Sequence, residues 1–208
     1  MMINEINNNF YLDGLMRFSD QIYAHKRSEE LLNAFLDSNS RGQIQSKMLA
    51  LDALEKNNIK VNNALFIGQW HGLLPFFCFR QGIINSAVGI EISQIWSQIS
   101  QKINSDWDWT SHCADATKPE IWQRLASQGL KFDLVINTSS EHMSFEWLDF
   151  LPPGQLVLIQ SSNYDIEQHS HKVKSIEELL EKTTLSQVVF QNVLSFKNYN
   201  RFSLLGKK

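Results

Sequence analysis

The sequence predicts a doubly wound α/β domain: a mostly parallel, seven-stranded sheet with helices on both faces and a helical cap at the N-terminus. Three observations carry that reading. Beyond Asn62 short apolar runs alternate with amphipathic segments; polar or glycine-rich clusters follow the runs; and two strand-like segments close the chain with only a short hinge between them.

In chain order, residues 10–36 place Leu12, Leu15, Met16, Ile22, Leu31, Leu32, Phe35 and Leu36 near helical spacing, which predicts one or two amphipathic helices. Residues 37–42 read as a polar loop, and Ile44, Met48, Leu51 and Leu54 mark one face of a helix over 43–56. The period then changes. Residues 64–67, ending at Gly68, read as a buried parallel strand, followed by a helix over 73–81. Strands over 86–91 and 109–113 flank a helix over 96–103, and a helix over 119–128 leads to a strand over 132–137. Residues 145–150 form a helix or turn, and Pro152-Pro153-Gly154 turns the chain into a strand over 155–160. Ser175-Ile176-Glu177-Glu178 reads as a capping box opening a helix to 182. Strands over 185–194 and 199–206 pair as a terminal hairpin, which makes the last strand antiparallel. Residues 1–61 are thus expected as the cap and 62–208 as the core of one compact domain.

Composition narrows the function classes. Hydrophobic residues make up 43% and charged residues 20% of 208, and the net charge of -3 offers no basic footprint for a nucleic-acid backbone. Cys78 and Cys113 are in no CxxC spacing and read as free thiols. The opening residues lack a charged n-region and apolar h-region, and no apolar run approaches the ~20 residues that span a bilayer. A cytoplasmic protein with a small-molecule substrate is expected, with a homodimer left open.

In an open parallel sheet, ligands bind beyond the carboxyl ends of the strands. There the sequence places Gly68-Gln69-Trp70-His71-Gly72, then Glu91-Ile92, then Asp115-Ala116, then Asn137-Thr138-Ser139-Ser140-Glu141-His142. Glycines let backbone approach a ligand, and a carboxylate about 20 residues past them can accept from a ribose diol.

At these residues the chain resembles the class I S-adenosylmethionine-dependent methyltransferases, over residues 62–208 and through a poorly characterised subgroup. The resemblance implies a Rossmann-like core and S-adenosyl-L-methionine as cofactor. By it, Gly68 and Gly72 lie under the methionine part, Glu91 holds the ribose hydroxyls, and Asp115 with Ala116 meets the adenine, while Gln69, Trp70 and Ile92 complete the expected cofactor-binding set. Asn137 falls between cofactor and substrate. The sequence departs from the family's GxGxG turn, with Trp70 at the middle glycine and Phe66 where an acid is usual. A non-catalytic version of the fold therefore stays open, as does another S-adenosylmethionine-using transferase or cyclase that releases methylthioadenosine. The missing GxGxxG disfavours a nicotinamide-dependent reductase.

For chemistry, His142, Glu141 and Asn137 are the candidates to arrange or deprotonate a small polar acceptor. His71, Ser139, Gln160, Asn163 and Tyr164 are expected to line its pocket. Tyr23, Arg27 and Lys47 could close over it and hold an anionic group. His169-Ser170-His171 has no third ligand nearby in the sequence, so no metal is expected.

Overall fold

A computed structural model describes residues 8–25 and 28–208; the opening residues read for a signal sequence, and Arg27, lie outside the described residues. Three helices come first: α1 (Asn8–Ala24), α2 (Glu29–Ser38) and α3 (Arg41–Lys56). The expected loop over 37–42 shrinks to Asn39 and Ser40, because the Ser40 hydroxyl accepts from the Gln43 N–H and starts α3 at Arg41. Ser28 caps α2 in the same way through the Leu31 N–H.

The core then runs β1 (Val61–Ile67), α4 (Leu73–Arg80), β2 (Ile84–Glu91), α5 (Gln94–Ile103), β3 (Asp108–Cys113), α6 (Pro119–Ser127), β4 (Leu134–Asn137), β5 (Leu156–Ser162), α7 (Ile176–Thr183), β6 (Gln187–Ser195) and β7 (Asn200–Lys207). Two 3₁₀ turns, Ser140–His142 and Phe145–Phe150, lie between β4 and β5. The capping box at Ser175 forms by half. Its hydroxyl accepts from Glu178 N–H, but the Glu178 carboxylate turns back to the Lys174 N–H at 2.7 Å.

The strand order is β3-β2-β1-β4-β5-β7-β6, parallel except for β7, which runs antiparallel to both its neighbours. The sequence runs outward from β1 to β3 and then returns to start β4 beside β1, so the topological switch lies between β1 and β4. Side chains alternate across the sheet. Ala64, Phe66, Ile136 and Leu158 face a core shared with α1–α5, while Leu65, Ile67, Val135 and Ile159 face one shared with α6, α7 and Trp147. Phe18, Leu31 and Leu54 of the front helices are buried in that first core. Arg17 of α1 adds a tie, donating to the Ile103 carbonyl at 3.2 Å and pairing with Asp106.

Gly72 heads α4 with φ +83°, and a Cβ there would lie 2.7 Å from Asn104 Nδ2, whose amide donates to the Gly72 carbonyl. Gly72→Ala is expected to cost about 1–3 kcal/mol through strain and this collision. A denaturant melt showing less than half a kcal/mol would contradict it.

Candidate active site

The carboxyl edge of the sheet opens into a cavity of about 590 Å³, within the ordinary size of a small-molecule site. The first wall is the turn after β1. Gly68, Trp70 and Gly72 take φ of +63°, +52° and +83°, so every second residue is left-handed. Glycine adopts that conformation freely, whereas a bulky residue is strained in it. Trp70 therefore keeps the conformation of a glycine-rich turn without the glycine. Its ring packs on His71 at a 36° tilt with centroids 4.2 Å apart and meets Trp96 edge-on at 6.0 Å. The cavity stays open beside it. Phe66, at the position of the missing acid, is buried edge-on to Trp109.

Glu91 ends β2 and is 7% exposed. Its Oε2 accepts from the Trp70 N–H at 2.9 Å and its Oε1 from the Ser93 N–H at 3.0 Å. Burial raises its pKa, and these backbone donors pull against that. Ile92 beside it is 71% exposed and supplies an apolar rim. Past β3, Ala116 and Asp115 line the cavity, with Asp115 Oδ1 already accepting from Thr117. Gln69 also lines it, although its Nε2 is turned to Ser111 Oγ at 2.8 Å.

The far wall comes from β4, β5, β7 and α3. Ser139 faces the cavity and donates to the Gly68 carbonyl at 3.0 Å. Glu141 is 1% exposed and pairs with Arg201, whose Nη2 lies 2.8 Å from Oε1; Arg201 Nη1 donates to the Thr138 carbonyl. His142 lines the same wall. Gln160 sits inside β5, donating to the Ser46 carbonyl at 3.0 Å, with its own Oε1 buried and unpartnered among the described residues. His71 is buried between Trp70 and Phe18, and neither ring nitrogen has a partner among the described residues; burial, then Lys47, lowers its pKa well below the usual value.

Lys47 enters from α3. Its Nζ donates to Gln43 O and Oε1, and the residue is half-buried on the cavity wall. Burial first, and then Arg201, lowers its pKa to about 7. A lysine whose folded-state pKa falls below its ordinary 10.5 costs stability wherever the unfolded chain holds that proton, so the cost grows as pH falls from 10.5 to about 7 and stays full below it. Lys47→Met is therefore expected to raise the melting temperature at pH 6, with the gain shrinking toward pH 10. An equal shift at both pH values would refute it.

Of the expected residues, the fold does not bring four groups to the cavity wall. Asn137 lies behind it, accepting from the Ser139 N–H at 2.9 Å. Gly72 packs against α5. Asn163 and Tyr164 lie past the end of β5, where Asn163 accepts from the Asn200 N–H and Tyr164 packs on Tyr199, and Tyr23 is on the outer part of α1. The sequence reading missed Arg201 and Met143, which do line it. A lone arginine heading the mostly apolar run Phe202-Ser203-Leu204-Leu205 was the available signal, since such a cation needs a buried partner.

No protein-family model and no curated protein sequence matches this chain. Solved structures do. The [4+2]-cyclase SpnF is similar with a TM-score of 0.62 and 14% identity, over 82% of this chain and 84% of that one. An S-adenosylmethionine-dependent methyltransferase from Clostridium acetobutylicum gives 0.60 and 12%, over 85% and 97%. MtNAS, in complex with MTA and tNA, gives 0.58 and 14%, over 94% of this chain and 70% of that one. With its strand order and antiparallel β7, the chain has the fold of the class I S-adenosylmethionine-dependent methyltransferases.

Proposed function

We propose that this protein is an S-adenosyl-L-methionine-dependent methyltransferase acting on a small polar metabolite. One observation carries the reading: the left-handed turn Gly68–Gly72 and the Glu91 carboxylate share one cavity at the β1–β4 switch. Glu91 accepts from the ribose hydroxyls, Ile92 lies against the adenine, and Asp115 with Ala116 meets its edge. The methionine part lies along Gly68 to Trp70.

Methyl transfer is a direct displacement: the acceptor's lone pair forms a bond to the methyl carbon as the carbon–sulfur bond breaks. The protein contributes alignment and a place for the acceptor's proton. Lys47 is suited to take that proton. Two of its N–H groups are held by Gln43, so the lone pair of the neutral amine is left for the cavity. Asn137 positions the turn that carries Ser139, and Glu141 fixes Arg201 beside the acceptor.

Calorimetric titration with S-adenosylmethionine and S-adenosylhomocysteine tests the reading. Micromolar binding, about -8 kcal/mol, is expected; a folded protein that binds neither overturns it. The similarity to MtNAS, a structure in complex with MTA that extends over the front helices, supports as the second reading a transferase or cyclase that uses S-adenosylmethionine and releases methylthioadenosine. Product analysis separates the two: methyl transfer leaves S-adenosylhomocysteine, and the alternative leaves methylthioadenosine.

A further inference from the structure

We propose that Glu141, His142 and His169 bind a divalent transition-metal ion at the acceptor end of the cavity. The sequence pairs His169 only with His171, but the fold sets the loop after β5 against the 3₁₀ turn after β4. One ligating atom from each of the three residues then lies within 4.8 Å of the others.

The hydrogen bonds around the cluster leave its ligating atoms free. His142 Nδ1 lies 3.0 Å from the Gln168 carbonyl, and His169 Nδ1 lies 2.9 Å from the Tyr164 carbonyl. A carbonyl only accepts, so each Nδ1 carries the proton and each Nε2 keeps its lone pair. Ligating histidines are held by this kind of bond, which fixes both tautomer and ring direction. The rings meet edge-on, with centroids 4.6 Å apart. Glu141 Oε1 accepts from Arg201 and lies 4.0 Å from His169 Nε2, while its Oε2 is buried with no partner among the described residues. A buried carboxylate oxygen without a donor is costly unless something positive meets it.

Two imidazoles and one carboxylate suit zinc, iron, cobalt or nickel better than magnesium or calcium. Bonds of about 2.0–2.2 Å place ligating atoms roughly 3–3.5 Å apart, so the cluster must contract by about 1 Å. Three protein ligands leave positions open on the side of Glu141 and His142 that faces the cavity. Arg201 already neutralises Glu141, so an anionic oxygen on the acceptor would balance the ion. That last role rests on the proposed methyl transfer; the metal site itself does not.

The test is calorimetric titration of chelator-treated full-length protein with Co²⁺ and, separately, Zn²⁺, with the visible absorption of the Co²⁺ form recorded. One ion per chain is expected, with ligand-field bands, and His142→Ala and His169→Ala should each weaken binding at least about tenfold. Thermal melts of both variants establish that they fold. Wild-type protein that takes up neither ion, or variants that bind as wild type does, would overturn the site. Metal binding without S-adenosylmethionine binding would keep the site while removing the methyltransferase reading.

Discussion

Glu91→Ala is expected to weaken S-adenosylmethionine binding about 100-fold or more, roughly 3 kcal/mol, while leaving the protein folded. The carboxylate spends one acceptor site per oxygen on Trp70 and Ser93, which clamps it in place and leaves further lone pairs for a diol at the cavity. Hydrogen bonds to a charged acceptor contribute about 1.5–3 kcal/mol each, so losing two gives this magnitude. The substitution also frees the Trp70 N–H in a turn that is already left-handed at a bulky residue. Glu91→Gln keeps one acceptor oxygen and should fall between the two. Calorimetry with matched far-ultraviolet circular dichroism reads both effects. Unchanged affinity in folded Glu91→Ala would remove Glu91 from the cofactor site.

Arg201→Ala should cause the largest loss of stability. Glu141 is 1% and Arg201 6% exposed, and removing the cation leaves a buried carboxylate without its counter-ion. Breaking such a pair from one side costs about 3–5 kcal/mol. At about 2–4 °C per kcal/mol for a chain of this size, melting should fall by roughly 6–20 °C. The double substitution Glu141→Met, Arg201→Met removes both charges and should recover part of the loss. A single-mutant loss below about 1 kcal/mol would mean that water reaches the carboxylate.

The sequence was most legible where the physics is local. The alternation of Ala64, Leu65, Phe66 and Ile67 between the two cores follows from the two-residue period of a strand. Strand ends are harder. β5 continues through Ser161 and Ser162 because they pair with Phe202 and Arg201 of β7, so Gln160 lies within a strand and Asn163 and Tyr164 move past the site. Two serines carry no strand signal of their own; a neighbouring strand 40 residues away recruits them.

By itself, then, the sequence determined the order of strands and helices, the glycine-bearing turn after β1 and the carboxylate that ends β2, since periodicity and glycine chemistry act within a few residues. Only the tertiary structure decided what faces what. Inserting β7 between β5 and β6 carries Arg201 to Glu141 across 60 residues, and the loop after β5 brings His169 beside His142. Packing α3 against the sheet sets Lys47 on the cavity wall near Arg201 and moves its pKa. Charges and imidazoles acquire their chemistry from their neighbours, and in this fold those neighbours are set by topology.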